Sequence, residues 1–259
     1  GADAIRRVTA AGYPNTIAAC TVARGVALNA NESSLFFTCA AMVKVMSMPI
    51  TYFYSSYNPA VFAGTATAGL VDGPATSAQF DTPKGLAILP SGIMYVTDAN
   101  NNAIRVIANG VVSVFAGSQT GTAGSTNSAG TNAKFSNPCG ITYVAAQAAL
   151  YVSEGGNNLI RRITLAGAVV TTLAGSGASS FANGIGTAAK FAYPHQLAAQ
   201  QSGGVLFVAD RNNNAIRRII LLDANVTLLL ELLQQQGTSP TLVRPHQGGQ
   251  TLWVLPLQT

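Results

Sequence analysis

Val96-Thr-Asp-Ala-Asn-Asn-Asn-Ala-Ile-Arg-Val106 returns as Val152-Ser-Glu-Gly-Gly-Asn-Asn-Leu-Ile-Arg-Arg162 and again as Val208-Ala-Asp-Arg-Asn-Asn-Asn-Ala-Ile-Arg-Arg218, at successive intervals of 56 residues. A fixed period of that size, in a chain of short apolar runs and Gly or Asn turns, implies stacked units whose hydrophobic faces are covered only by their neighbours. Working outward from the first copy, the unit comprises a Gly-rich loop, Asp72-Gly-Pro-Ala-Thr-Ser-Ala-Gln-Phe80, and then Pro83–Ile88, Met94–Asp98, Ala103–Ile107 and Val111–Gly117. These are four short strands bounded by Gly, Asn or Pro, as expected of antiparallel meanders packed face to face. Such units arranged around an axis make a β-propeller.

The expected architecture is all-β: a single propeller domain over residues 1–259 with four-stranded blades at 22–64, 65–117, 118–175 and 176–236. A composite blade, 237–259 plus 1–21, completes the ring. Gly1-Ala-Asp-Ala-Ile-Arg-Arg-Val8 reads as the second half of the hairpin motif, while Pro245-His-Gln-Gly248 and Thr251-Leu-Trp-Val-Leu255 read as the first two strands of a unit. Pairing of 251–257 with 4–9 would close the ring at five blades, or six where one blade lies outside these residues, and would remove two exposed sheet edges. In the blade at 22–64 the third strand, Met42-Val-Lys-Val-Met46, lacks the Asn-x-x-Ile-Arg signature.

Within the hairpin, Asn tolerates positive φ, and a carboxylate stands seven residues before an arginine. Asp98 with Arg105, Glu154 with Arg161 and Asp210 with Arg217 are therefore expected as structural cross-hairpin pairs. Partly exposed pairs of this kind contribute about 0.2 to 1 kcal/mol each. Phe80, Phe135 and Phe191 precede Pro83, Pro138 and Pro194 by three residues and are read as plugs between blades. Each Pro then starts the innermost strand, where it need not donate a hydrogen bond.

The unit resembles the NHL repeat, whose copies carry a Gly-rich loop, Phe-x-x-Pro-x-Gly, an apolar-Val-x-Asp strand end and Asn-x-x-Ile-Arg. The resemblance covers residues 72–219 closely. The second residue of the innermost strand, one after the entry Pro or, in the first unit, after Ala23, should ring one mouth of the central channel: Arg24, Lys84, Cys139, His195 and His246. Two imidazoles and a thiol are metal-ligand types, but Arg24 and Lys84 on the same rim would repel a cation, and no metal or other cofactor is expected. Tyr193-Pro-His195 with Val208-Ala-Asp-Arg-Asn-Asn213 also resembles the histidine blade of peptidyl-α-hydroxyglycine lyases. That resemblance implies His195 as a zinc ligand with Arg211 near the mouth, yet the lyase site takes three histidines and this chain has two. Some NHL propellers bind RNA on a basic face, for which Arg24, Lys84, Arg211 and Arg244 would serve, with Tyr193 as a stacking platform. Four lysines in the entire chain make a poor phosphate-tracking surface.

Composition is 48% hydrophobic and 9% charged with a net charge of +5. Seven of the ten arginines (Arg6, Arg7, Arg105, Arg161, Arg162, Arg217, Arg218) lie in the repeated strand motif, so the basicity is read as structural. No apolar run approaches the roughly 18 residues of a membrane span. There is no Gly-x-Ser-x-Gly elbow, phosphate-binding Gly-x-x-x-x-Gly-Lys loop or His-Glu-x-x-His pair. Three cysteines leave one unpaired, with Cys20 and Cys39 as the candidate pair. Asn31 and Asn225 fit the glycosylation sequon, and the first residue is Gly1 instead of Met, which suggests that an upstream segment has been removed. Tyr52, Phe53, Tyr54 and Tyr57 crowd the stretch Met48–Tyr57, where a contact with a partner protein or a second copy is expected. Together these features point to a non-catalytic interaction or assembly scaffold in an extracellular or cell-surface setting. A metal-dependent lyase and an RNA-binding module are the alternatives.

Overall fold

A computed structural model describes residues 4–8, 14–20, 22–47, 59–200 and 202–229, with side chains described from residue 20 onward. These form an all-β propeller of four successive blades. From the axis outward, the first blade has strands Ala23–Leu28, Ser34–Cys39, Met42–Ser47 and Ala60–Ala63. The second has Pro83–Ile88, Met94–Asp98, Ala103–Ala108 and Val111–Gly117, and the third has Pro138–Val144, Ala149–Glu154, Leu159–Thr164 and Val169–Ala174. The fourth has Pro194–Ala199, Val205–Asp210, Ala215–Ile220 and Asn225–Leu228.

Three blades depart from the expected four strands. Gly73–Pro74, Ser128–Ala129 and Gly184–Ile185 each add a two-residue fifth strand to the outer edge of its own blade. The Gly-rich loop thus crosses the blade and covers an edge that would otherwise present unpaired backbone groups. The expected partner of the N-terminal strand, near 251–257, lies outside the described residues. What is described there is an antiparallel pair, Ala4–Val8 with Pro14–Ala19.

Between blades the core repeats as the sequence does. Phe80 is fully buried among Val43 and Ala63 of the first blade and Met94, Val96, Ile107 and Val112 of the second. Phe135 and Phe191 occupy the same position at the next two interfaces, with Ile104 and Ala116 facing Leu150 and Val152, and Tyr151 and Ile160 facing Leu206 and Val208.

Nearer the axis, one backbone lock is used three times. Thr38 Oγ1 accepts from Gly25 N at 2.8 Å and donates to Lys84 O of the next blade at 2.9 Å. Thr97 Oγ1 joins Gly85 N to Cys139 O, each at 2.7 Å. Ser153 Oγ likewise joins Gly140 N to His195 O. Each glycine is required because the neighbouring blade arrives where a side chain would sit: a Cβ on Gly140 would lie 2.6 Å from His195 O and 2.9 Å from Gln196 Cα, and one on Gly85 would lie 2.6 Å from Cys139 O. These obstacles are backbone and cannot rotate away. Gly140→Ala is therefore expected to cost about 1–3 kcal/mol, the usual range for overpacking a dense interior. Gly204→Ala, with nothing within 4 Å of its Cβ, should leave the thermal midpoint nearly unchanged. Equal midpoints for the two variants would show that the blades separate freely at this seam.

Candidate functional site

The carboxylate–arginine pairs are completely buried, which corrects the expectation of partial exposure. Asp98, Glu154, Asp210 and their arginines have 0% exposed side chains, with N–O separations of 2.8, 2.5 and 2.8 Å. In the strand register Asp98 is opposite Ala103, so Arg105 is the diagonal neighbour on the same face. Each arginine reaches past its carboxylate to the loops that frame the blade. Arg161 donates to Lys134 O, Thr126 O and Asn127 Oδ1, while Arg217 donates to Lys190 O, Ala182 O and Asn183 Oδ1. Arg105 donates to Gln79 O and Val71 O and also pairs with Asp72 at 2.6 Å. The other carboxylate oxygen caps a backbone amide: Asp81 N on Asp98, Ser136 N on Glu154, and Ala192 N on Asp210. The guanidinium carbons lie 5.1, 5.4 and 5.1 Å from the ring centroids of Phe80, Phe135 and Phe191. Burial pushes the Asp98 carboxyl up to about 6 and raises Glu154 as well, against the opposing pull of hydrogen bonds and arginine. These groups are clasps closed off from solvent, in which the Nε of each arginine is buried without a hydrogen-bond partner among the described residues.

The channel mouth has a different character. Lys84 is only 4% exposed. Its Nζ donates to Asn137 Oδ1 at 2.6 Å and contacts Cys139 Sγ and the Tyr193 hydroxyl, both at 3.4 Å. Tyr193 also donates to Asn137 Oδ1 at 3.1 Å. Its ring stacks at 6.4 Å on His195 and lies 5.7 Å from Lys84 Nζ and 5.5 Å from Arg211 Cζ. Burial, followed by the positive charges of Lys84, Arg211 and Arg24, depresses the His195 imidazole to about 4. The buried Cys139 thiol donates to Asn137 O at 3.3 Å. The mouth thus brings Lys84, Cys139 and His195 together, with Arg24 exposed on the same rim.

Local geometry explains how Tyr193 gets there. Its φ is +52°, an unusual conformation for an aromatic residue, and it is secured by Tyr193 N donating to Asn158 Oδ1 at 2.9 Å. Gly155 leaves the necessary space, since a Cβ there would lie 2.9 Å from Tyr193 Cζ. Asn137 and Gly155 were not singled out from the sequence. Their signal was the departure of the third unit from its siblings, Gly155-Gly156 replacing Ala99-Asn100 and Arg211-Asn212. Behind the mouth the innermost strands of the four described blades line an open cavity of about 360 Å³ bordered by Val26, Leu28, Leu86, Ile88 and Tyr143.

His246 and Arg244 lie outside the described residues, as do Tyr52, Phe53, Tyr54 and Tyr57. Asn31 is exposed in the first hairpin turn and accepts from Ser33 N at 3.2 Å, while Asn225 is half-buried at the start of an outer strand. Cys20 and Cys39 form a disulfide. Among the described residues no group of three His, Cys, Asp or Glu side chains is placed to hold a metal ion, and no helix is long and apolar enough to cross a membrane.

No family model matches the chain. It is 29% identical over 175 residues to NHL repeat-containing protein 2 of Gallus gallus, a match covering 63% of this chain and 24% of that protein. The chain therefore spans about a quarter of the length of that curated relative. Among solved structures, a Bacteroides thetaiotaomicron protein of unknown function superimposes with a TM-score of 0.66 at 20% identity, covering 84% of this chain and 54% of that one. Virginiamycin B lyase from Staphylococcus aureus superimposes with a TM-score of 0.53 at 17% identity, covering 88% of this chain and 62% of that one. At these identities the structures speak for the fold alone. The sequence relative is named for NHL repeats, and four blades built on Asn-x-x-Ile-Arg hairpins or their divergent counterpart agree with it: in sequence and in fold the chain is similar to NHL-repeat β-propellers.

Proposed function

We propose that this propeller is a non-catalytic interaction module, a five-bladed ring with a composite last blade, which presents its channel mouth to a partner protein. The observation that carries this reading is the disposition of charge. Asp98, Glu154 and Asp210 are sealed inside the clasps, while the mouth gathers Arg24, Lys84 and Arg211 around a half-buried tyrosine and histidine. That arrangement suits recognition through charge and ring contacts. Among the described residues, those around the mouth cations include neither a carboxylate to act as general base nor a hydroxyl nucleophile paired with one. The disulfide favours an oxidising, extracellular or cell-surface setting.

The test is binding of the full chain to three matched sets of peptides, acidic, neutral and basic, with single-stranded RNA of equal charge as a fourth ligand. Selective, salt-sensitive binding of acidic peptides is expected. Preference for RNA would replace the protein partner with a nucleic acid, and turnover of an α-hydroxyglycine peptide after zinc loading would replace the module with an enzyme.

A further inference from the structure

The interaction reading leaves open what the mouth recognises, and the inference drawn here rests on that reading and names the chemistry. We propose that Lys84, Tyr193, His195 and Arg211, with Arg24 on the rim, form a subsite for a single oxyanion, the carboxylate of an acidic side chain or chain terminus of the partner.

Three observations support it. First, the Lys84 ammonium is buried without a carboxylate. Its partners are an amide oxygen, a phenol and a thiol, and no ion pair to it exists among the described residues. An ammonium taken out of water is costly unless an opposite charge completes its surroundings. Second, none of the described acids supplies that charge. Asp72, Asp98, Glu154 and Asp210 pair with arginines. Asp81 accepts from Thr82 and Asn100, Asp223 accepts from Asn225 N, and Glu32 is exposed in the first hairpin turn. Third, the cations converge. Lys84 and Arg211 lie 5.7 and 5.5 Å from one ring centroid, that of Tyr193, and both act on the His195 imidazole together with Arg24. Cations set around one ring repel one another, and an anion among them relieves that repulsion, accepting charge-assisted hydrogen bonds from the exposed Arg211 while the buried Lys84 ammonium, its donors held by Asn137, Cys139 and Tyr193, supplies charge. Tyr193 and His195 supply polar edges beside the charge, and their half-burial limits competition from water.

The experiment follows the His195 imidazole resonances of the full chain by NMR while sodium acetate or inorganic phosphate is added at constant ionic strength. In parallel, an acidic peptide is titrated by calorimetry. Acetate should shift His195 saturably. Lys84→Met should weaken acetate and peptide at least about tenfold, and Arg211→Gln at least about threefold, as losses of charge-assisted contacts. Arg218→Gln, on the third strand of the same blade, should change neither. Arg211 is exposed, so its variant keeps the test decisive if Lys84→Met fails to fold. Absence of a saturable acetate shift overturns the subsite, as does saturation by phosphate alone, which would mark a phosphoryl site. If acidic peptides bind wild type, Lys84→Met and Arg211→Gln alike, the subsite falls and the interaction module stands. If acetate saturates but no peptide binds, the module falls and the subsite stands.

Discussion

Arg161→Met should cost about 3–5 kcal/mol of folding free energy at neutral pH, the range for removing one member of a buried ion pair. The loss comes less from the missing attraction than from what is stranded. Glu154 would remain fully buried with Ser136 N and Asn157 Nδ2 as its donors. Lys134 O, Thr126 O and Asn127 Oδ1 would each lose the guanidinium. Burial already raises the Glu154 carboxyl against the pull of Arg161; without the arginine it rises further, and taking up a proton relieves only part of the penalty. For a chain of this size each kcal/mol lowers the thermal midpoint by about 2–4 °C, so a drop of roughly 10 °C is expected in a calorimetric scan. The double variant Glu154→Leu with Arg161→Met should recover a large share, because replacing both charges leaves neither stranded. A loss under about 1 kcal/mol for the single variant, the exposed-pair range, would show that water reaches the clasp.

The clasp also marks the limit of what the sequence discloses. The spacing of seven between Asp98 and Arg105 identifies the partners, since strand periodicity and a fixed hairpin length put them on one face. It does not reveal that the Gly-rich loop folds across the outer edge, adds a fifth strand and seals the pair, because Gly73–Pro74 and Ser128–Ala129 are two-residue strands without alternation. The inner ring was legible in part. Position after the proline located Lys84, Cys139 and His195, whereas the amide at Asn137 that joins Lys84 to Tyr193 depends on contact between adjacent blades, and no period within one unit encodes it. The strand-two hydroxyls Thr38, Thr97 and Ser153, paired with Gly25, Gly85 and Gly140, were visible as repeated letters. Their meaning required the neighbouring backbone. In the fourth unit both letters change together, to Ala209 and Gln196, so this face of the ring cannot offer its next neighbour the same lock.

Reduction of the Cys20–Cys39 disulfide, or replacement of either cysteine by serine, should cost about 2–4 kcal/mol, the usual range for a bridge closing a loop of this length; the two residues are 19 apart in sequence. The position of Cys39 explains why the bridge matters. In the register of the innermost strand, Ala23 pairs with Cys39 as Pro83 pairs with Asp98, Pro138 with Glu154 and Pro194 with Asp210. Lys44 faces Phe37 as Arg105 faces Val96. The first blade thus carries a cysteine where its siblings carry the clasp carboxylate and a lysine where they carry the clasp arginine, with a short Ala40-Ala41 turn in place of the Asn-rich one. A covalent tie to Cys20, which directly follows the strand Pro14–Ala19, substitutes for the ion pair and anchors the N-terminal strand pair beside the first blade. Reduction should therefore accelerate amide exchange first in Pro14–Ala19 and Ser34–Cys39, while the strands of the second and third blades keep their protection, since stability is lost in local units before it is lost globally. Urea midpoints that coincide with and without a thiol reductant would rule out this role. Exchange that rose equally in all four blades would show instead that the bridge holds the whole ring.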